Sequence, residues 1–530
     1  MDPIKTNPTS MSLNDLLASA SQAIAAQKLA VAEQALKQAV AIAPDSADAQ
    51  RLAGVVQLMR GNPGNAVGHL HRAVELRPGD FYAHMDLGNA LFACRDTQAA
   101  LASLRHACEL APDAAGTWYN LGRTLHIAQR IEEARPALLR AHALDPSHAM
   151  TSMILASVQN SLGEIAEAAG LYRGVLKNQP DHARAWFELC NLKTVKLDDA
   201  EFLQLRQLLE RADLSVEARI RLGFALAKSL EDRGDLEASF KALQLANAIK
   251  HRHAPWNIEA ERRRVDGIMR AFSQPLLPPL DPTLGNEIIF IACLPRSGST
   301  LVEHILASHS MVEGANEISD LQIILQGEST RRRQVLTEWA PRATAADWHR
   351  LGREYLERTA HWRSNKPRST DKNLGNWSVI GLALAMLPGA RVVNIRRDPL
   401  ETCFACYRQL FPDGVSYTND FESMAHYYAG YERISRFWKE RFPENYRDHV
   451  YEDMLADPEG SIRELLEFCR LPFEPDCLEF HKTSRVVRST ASAAQVRQPL
   501  QSDTARAPRY GALLDPLREQ LRRLGVPSQD

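Results

Sequence analysis

The chain has 530 residues, of which 45% are hydrophobic and 24% are charged, and its formal net charge is −2. At about 100–200 residues per domain, this length predicts three domains or two large ones. The composition is that of a soluble globular protein, because it is too apolar for a disordered chain and too charged for a membrane bundle. A net charge near zero argues against a global nucleic-acid or anionic-membrane surface but leaves room for a local basic pocket.

The eight cysteines are scattered along the chain and are too few for a disulfide scaffold. The one close pair, Cys403 and Cys406, lacks the second pair of ligands that a zinc site requires. The N-terminus has no apolar signal core, and no apolar run reaches the roughly 18 residues that a bilayer span needs. We therefore expect a soluble protein of a reducing compartment, the cytoplasm, with neither membrane nor nucleic acid as a partner.

A repeat of 34 residues organises the first half of the chain. Prolines recur at this spacing, each after a helical pattern and at the start of a short turn: Pro44, Pro78, Pro112, Pro146 and Pro180. A glycine or alanine stands 24 residues before each of them: Ala20, Gly54, Gly88, Gly122 and Ala156. Small residues let paired helices approach closely, and a proline ends each unit because it cannot continue a helix interior. The period and the small-residue pattern resemble the tetratricopeptide repeat.

The resemblance implies an all-α solenoid, to which we assign residues 12–255. This range includes a half-unit that starts at Trp186 and a degenerate helix pair that starts near Leu222. Such arrays commonly hold a peptide or another domain, so we expect a protein or peptide partner. The alternatives are that the repeats only support the C-terminal half or that they form a homodimer.

A proline-rich stretch over 273–282 predicts a linker, which we place at 256–285, ahead of a second domain over 286–530. The short apolar run over 287–293 predicts a buried strand, and a helical pattern begins at Leu301. Between them lies Leu-Pro-Arg-Ser-Gly-Ser-Thr, residues 294–300. A strand, a Gly/Ser-rich turn and a helix form an anion-binding arrangement, because free N–H groups and the helix dipole point at one place.

The residue types of this loop suit a phosphate or sulfate group. Gly298 lets the main chain approach an anion, and Arg296 supplies a forked cation. Hydroxyl donors come from Ser297, Ser299 and Thr300. The loop lacks the Gly-Lys-Ser/Thr of a Walker A motif, and no carboxylate pair for Mg²⁺ is evident, so an ATPase or kinase is disfavoured.

A second basic segment follows another apolar run, over 390–395, which also reads as a strand. That run ends in Arg396 and Arg397 and is followed by a helical pattern. Two basic residues at a strand end suit a second phosphate about one nucleotide away from the first. A ligand with phosphates at both ends of a ribose therefore fits better than ATP.

Together these segments resemble the sulfotransferases that use 3′-phosphoadenylyl sulfate (PAPS), over roughly residues 286–500. The resemblance is closest to the tyrosylprotein sulfotransferase-like branch and to bacterial proteins that join tetratricopeptide repeats to such a domain. It implies a P-loop-like α/β fold with a parallel sheet, in which the loop around Arg296 binds the 5′-phosphosulfate and Arg397 binds the 3′-phosphate. It also implies that PAPS is the co-substrate, released as adenosine 3′,5′-bisphosphate, and that no metal is required. Later segments that look like family elements add three nucleotide contacts: Tyr451, Ser492 and Arg497.

The resemblance also assigns catalytic roles. Sulfuryl transfer to a hydroxyl needs a base, and it needs cations at the sulfonate and bridging oxygens. Glu317 lies 21 residues after Arg296, where the tyrosylprotein branch places its catalytic glutamate, and is therefore the implied base. Lys372, in a segment that looks like the family's lysine-containing loop, is the implied cation at the bridging oxygen, with Arg296 at the sulfonate. His304 and His309 are rival bases, since imidazole suits proton transfer at neutral pH.

Two positions depart from the family pattern. Ala405 stands where the family usually has a serine, eight residues after the 3′-phosphate arginine. The missing hydroxyl contact is worth about 0.5–1.5 kcal/mol, which weakens cofactor binding by up to about tenfold without abolishing it. Ala507 stands at the apparent position of a tryptophan in the bacterial relatives, so adenine or acceptor stacking there is left open.

The expected function is a PAPS-dependent sulfotransferase that acts on a protein or peptide tyrosine presented by the repeats. One alternative is the same chemistry on a small molecule or glycan. Another is a repeat scaffold whose C-terminal domain binds nucleotide without turnover. We interpret the basic clusters 262–264 and 331–333 as solvated helix faces, and the second is also a candidate lining for an acidic-acceptor entrance.

Overall fold

The computed structural model describes residues 11–412, 414–483, 498–500 and 505–526. Residue contacts divide the chain into two compact units, which join in sequence between Pro180 and Asp181. The first unit is built of helix pairs, and the second combines further helices with a parallel sheet. The predicted fold class, a helical solenoid followed by an α/β domain with a parallel sheet, is confirmed.

The described part of the first unit, residues 11–180, contains five helix pairs, one for each predicted repeat. Their bounds are α1 (Leu13–Ala25), α2 (Leu29–Ile42), α3 (Ala47–Met59), α4 (Pro63–Leu76), α5 (Phe81–Ala93), α6 (Thr97–Leu110), α7 (Ala115–Ile127), α8 (Ile131–Leu144), α9 (Ala149–Leu162) and α10 (Ile165–Asn178).

The small residues act where the two helices of a pair touch. A Cβ added to Gly88 would lie 2.6 Å from Cγ of Leu104 on the partner helix. The same approach recurs between Gly122 and Leu138, at 2.6 Å. A larger residue there would push the helices apart, since protein interiors are close-packed. The repeat pattern therefore reflects helix contact within each pair.

The second unit begins with five helices: α11 (Ala183–Asn191), α12 (Asp199–Glu210), α13 (Val216–Asp232), α14 (Leu236–His253) and α15 (Ile258–Ala271). The predicted degenerate pair is present as α13 and α14, where a Cβ on Gly223 would lie 2.9 Å from Cβ of Ala246. Helix α15 occupies part of the segment predicted as a linker, and the stretch 272–287 holds neither helix nor strand. The domain boundaries at 255 and 286 stay a prediction.

The sheet of the second unit has five parallel strands in the order β2-β3-β1-β4-β5. Their bounds are β1 (Ile288–Cys293), β2 (Val312–Glu313), β3 (Arg368–Lys372), β4 (Arg391–Arg396) and β5 (Tyr446–Val450). Strand β1 is central and buried on both faces, which explains its unbroken apolar sequence. Its alternate residues enter two different hydrophobic clusters, so helices cover both faces of the sheet.

The remaining helices surround this sheet. They are α16 (Ser299–Ser308), α17 (Asp320–Arg332), α18 (Leu336–Trp339), α19 (Ala345–Arg358), α20 (Asn376–Met386), α21 (Pro399–Tyr407), α22 (Phe421–Arg441), α23 (Tyr451–Ala456), α24 (Pro458–Phe468), α25 (Ala507–Tyr510) and α26 (Asp515–Arg523). Helix α14 packs on this part of the unit, since the Asn247 side-chain amide donates to the carbonyl of Tyr407 at 3.0 Å. Within the described ranges, no helix is long and apolar enough to cross a membrane.

Candidate active site

The parallel sheet brings the predicted site residues to one edge. All strands of a parallel sheet end on the same side, and ligands of open α/β sheets bind outside those carboxyl ends. Strand β1 leads into the loop that carries Arg296, and β4 leads into Arg397. Lys372 is the last residue of β3. It therefore lies at the end of a strand, whereas the resemblance implied a loop at this position. Tyr451 follows directly after β5.

The anion loop closes tightly onto the start of α16. Gly298 caps this helix with a left-handed φ of +98°, and a Cβ there would lie 2.6 Å from the Tyr451 ring. Only glycine fits without displacing the ring. Arg296 also has a positive φ, +67°, a conformation that non-glycine residues seldom adopt. A helix leaves its first N–H groups without a partner inside it, so those of Ser299 and Thr300 are available to an anion, whereas the N–H of Leu301 donates to the carbonyl of Gly298 at 3.0 Å.

Arg397 is bound to this loop. Its Nη1 donates to the carbonyl of Arg296 at 3.0 Å, and its guanidinium lies 4.8 Å from the centroid of the Tyr451 ring. Nη2 lies 3.3 Å from Glu401. The buried Nε of Arg397 has no hydrogen-bond partner in the described part of the chain. A buried donor without an acceptor is costly, and a bound anion would satisfy it.

Positive charge is concentrated at Arg296. Burial lowers the pKa of its guanidinium, and the neighbouring charges of Arg397 and Arg408 lower it further. Arg408 follows α21 and pairs with Glu231 of α13. Cations clustered around a buried arginine favour the binding of an anion, because an anion relieves their repulsion.

Lys372 connects the anion loop with the predicted base. Its side chain is 1% exposed, and its Nζ lies 3.5 Å from Oε1 of Glu317. The same Nζ donates to Oγ1 of Thr300 at 3.3 Å. The Glu317 side chain is 47% exposed, so an acceptor from solvent can reach it while Lys372 stays buried. The structure thus brings together three of the predicted residues: Thr300, Glu317 and Lys372.

Sequence reasoning missed a second carboxylate on Lys372. Glu303 of α16 is 1% exposed, and its Oε2 lies 3.5 Å from Nζ of Lys372. Its Oε1 accepts hydrogen bonds from the N–H of Asn316 at 2.7 Å and from the hydroxyl of Thr370 at 2.9 Å. The signal in the sequence was an acidic residue within the apolar pattern of the helix that follows the loop.

Asp371 was also missed. It is buried in β3, where its carboxylate accepts from the Tyr355 hydroxyl at 2.6 Å and from the side-chain amide of Asn376 at 2.9 Å. Gln322 of α17 in turn donates to Asn376 at 2.7 Å. Burial raises the pKa of Asp371 to about 7. This network ties the end of β3 to helices on either side of it.

The helical part of the second unit contributes a further cation, Lys193, just after α11. Burial lowers the pKa of Lys193 well below its ordinary range, and the positive charges of Arg296, Arg408 and Lys228 act in the same direction. Lys228 of α13 donates to the carbonyl of Lys193 at 3.4 Å. Nothing in the local sequence around Lys193 indicated this placement.

The two histidines predicted as alternative bases are both buried and contact other parts of the domain. His304 is buried in α16, with its ring 6.2 Å from that of Phe480. His309 is fully buried at the far end of α16 from the anion loop. Its ring nitrogens lie 2.9 Å from the carbonyl of Pro472 and 3.0 Å from the N–H of Met311. These contacts favour Glu317 over both histidines.

Of the other positions that the sequence singled out, Ser492 and Arg497 lie outside the described residues. Ala405 is half-buried in α21, and Ala507 is buried at the start of α25. In the 331–333 cluster, Arg331 and Arg332 both bind Glu328, which compensates much of their charge.

Two family models match the chain. The sulfotransferase family model matches residues 288–475. The tetratricopeptide repeat model matches 17–81, 85–149 and 155–215.

Among curated proteins, the chain is 30% identical over 401 residues to an uncharacterised protein of Aquifex aeolicus, covering 73% of this chain and 52% of the relative. It is 27% identical over 216 residues to the cellulose synthase 2 operon protein C of Komagataeibacter xylinus, covering 38% of this chain and 16% of that one. The chain thus spans about half the length of the first relative and less of the second.

Among solved structures, a thermophilic tetratricopeptide repeat protein of Thermus thermophilus has 20% identity and a TM-score of 0.31, covering 35% of this chain and 100% of its own. The protein MamA has 21% identity and a TM-score of 0.28, covering 31% of this chain and 96% of its own. The parallel sheet with its anion loop, together with the family matches, shows that this chain carries tetratricopeptide repeats and a sulfotransferase-family domain.

Proposed function

We propose that this chain is a sulfotransferase that moves the sulfuryl group of PAPS to an acceptor hydroxyl. The observation that carries the proposal is the convergence of Arg296, Lys372 and Arg397 at the carboxyl edge of the sheet, around the N-terminus of α16. Sulfuryl transfer needs positive charge where negative charge develops, and arginine and lysine supply it.

The site suits a nucleotide with two separated anionic groups. The loop over 296–300 and the first turn of α16 would hold the 5′-phosphosulfate through N–H groups and hydroxyls. Arg397 would hold the 3′-phosphate, which gives its buried Nε an acceptor. The Tyr451 ring packs against both Gly298 and Arg397 and so fixes the two halves of the site relative to each other.

The reaction assigns one role to each catalytic side chain. The acceptor oxygen forms a bond to sulfur as the bond between sulfur and the bridging phosphate oxygen breaks. The acceptor proton passes to the carboxylate of Glu317. Lys372 stabilises the negative charge that develops on the bridging oxygen, which leaves with adenosine 3′,5′-bisphosphate. Arg296 stabilises the sulfonate oxygens during the transfer, and most of the rate comes from alignment and electrostatics.

We infer a protein or peptide tyrosine as the acceptor, presented by the repeats. Two observations support it: tetratricopeptide arrays commonly bind peptides, and Glu317 is open enough to reach an acceptor carried on a larger molecule.

The acceptor class is tested by incubating the full chain with PAPS that carries radioactive sulfur. Tyrosine-containing peptides, glycans and small alcohols are supplied in parallel reactions. Label on the peptides supports the proposal, whereas label only on glycans or alcohols would replace the tyrosine acceptor by one of those classes. Binding of adenosine 3′,5′-bisphosphate without transfer to any acceptor would instead identify a nucleotide-binding scaffold.

A further inference from the structure

We propose that Glu303 is a positioning residue for the transfer, a single buried carboxylate that holds both Lys372 and the turn that presents Glu317. The proposal rests on the proposed function, since it concerns the cation and the base of that reaction. Glu303 lies on α16, the helix whose first turn forms the anion site. It therefore links the base and the cation to the element that binds the donor.

Lys372 needs a counter-ion that stays in place during the reaction. A buried ammonium requires a counter-ion, and Lys372 lies 3.5 Å from two carboxylates. Glu317 is largely exposed and must turn to the acceptor to take its proton. Glu303 is 1% exposed and has no such task. It therefore remains as a buried counter-ion that holds Lys372 in place while Glu317 is engaged with the acceptor.

Glu303 also holds the backbone turn that carries Glu317. Asn316, directly before it, has a left-handed φ of +62°, which costs energy for a non-glycine residue. Glu303 Oε1 accepts the Asn316 N–H at 2.7 Å, and the Asn316 carbonyl accepts the backbone N–H of Lys372 at 3.3 Å. The strained turn is thus held from both sides, by Glu303 and by the end of β3.

Thr370 completes this arrangement. Its hydroxyl donates to the same Oε1 of Glu303 at 2.9 Å and accepts the N–H of Ala315 at 3.1 Å. The two residues before Glu317 are therefore both anchored to the Glu303–Thr370 pair. If the charge of Glu303 is lost, Glu317 is the one carboxylate among the described residues that still pairs with Lys372. Lys372 and Glu317 would then be held together as an ion pair, which would keep Glu317 from the acceptor.

The test uses Glu303→Gln in the full chain, because glutamine keeps an oxygen for Asn316 and removes the charge. We expect kcat to fall by at least about tenfold, with the KM for PAPS and the Kd of adenosine 3′,5′-bisphosphate within about threefold of the unmodified protein. Glu313→Gln is the matched control, since Glu313 is a half-buried carboxylate of the neighbouring strand β2, and it should leave kcat unchanged.

The outcomes are distinguishable. Absence of transfer by the unmodified protein would overturn the proposed function itself. An active unmodified protein with an equally active Glu303→Gln variant would overturn the positioning role. Parallel loss of kcat and of nucleotide affinity would show a merely structural role and would also overturn it. Glu303→Asp, which keeps the charge, should retain more turnover than Glu303→Gln, and it serves as the test where the glutamine variant does not fold.

Discussion

At the residue scale, Glu317 is assigned the proton transfer, whereas the anion loop and Arg397 are assigned the nucleotide. Loss of the Glu317 carboxylate should therefore lower turnover without lowering nucleotide affinity. A positioned base contributes about 10²–10⁴ in rate, so Glu317→Gln should lower turnover by at least about a hundredfold. Nucleotide affinity should change little, because the anion loop and Arg397 remain intact. Transfer assays and a titration with adenosine 3′,5′-bisphosphate measure the two effects. Turnover that survives in the variant would place the base elsewhere.

Asp371 predicts a dependence of stability on pH. Its pKa is about 7 in the folded protein against an ordinary 3.8, so the folded state binds more protons than the unfolded state between these values. The contribution of Asp371 to stability is therefore present at low pH and declines as the pH rises from about 4 to about 7.

Urea unfolding at pH 5 and pH 8 tests this dependence. The unmodified protein should lose more free energy of unfolding between the two pH values than Asp371→Asn, which cannot ionise there. An identical pH dependence in the two proteins would show that Asp371 does not titrate in this range.

At the element scale, the repeat helices can be tested through their glycines. Gly88→Ala places a methyl group 2.6 Å from Leu104, and overpacking of this kind costs about 1–3 kcal/mol. Gly68 lies exposed on α4 with nothing within 4 Å of an added Cβ, so Gly68→Ala should instead stabilise by about 0.5–1 kcal/mol. Chemical denaturation of the two variants should give shifts of opposite sign. Shifts of the same sign would contradict the assigned helix contacts.

The same scale shows what the sequence could predict. The helix pairs follow from a local period, and β1 and β4 follow from apolar runs, because neighbours along the chain carry the signal. Strand β3 could not be recognised: its sequence Arg-Ser-Thr-Asp-Lys is polar, yet all five residues are buried. Their burial depends on partners far along the chain, such as Glu303 for Lys372 and Tyr355 for Asp371. For the same reason the contact partners of Glu303 and the placement of Lys193 could not be predicted, although an acidic residue within the apolar pattern of α16 marked Glu303 as unusual.

At the scale of the whole molecule, the net charge of −2 is an average over an uneven distribution. Burial lowers the pKa of Arg296 in the anion loop and of Lys193 after α11, and the positive charge of Arg408 at the end of α21 lowers both further. Lys193 belongs to the stretch matched by the repeat model, whereas Arg296 belongs to the stretch matched by the sulfotransferase model. Within the second unit, a basic residue of the sulfotransferase-matched stretch, Arg296, thus lowers the pKa of one in the repeat-matched stretch, Lys193, in addition to the effect of burial.

The proposed site fits a nucleotide that carries both a 5′- and a 3′-phosphate, and calorimetric titration measures this preference. The full chain should bind adenosine 3′,5′-bisphosphate at least about tenfold more tightly than adenosine 5′-monophosphate, because only the former reaches Arg397. Arg397→Gln should reduce this preference to about twofold. Arg396→Gln should keep it, since Arg396 is paired with Glu432. Equal affinity of the unmodified protein for the two nucleotides, or an undiminished preference in Arg397→Gln, would show that Arg397 does not bind a 3′-phosphate.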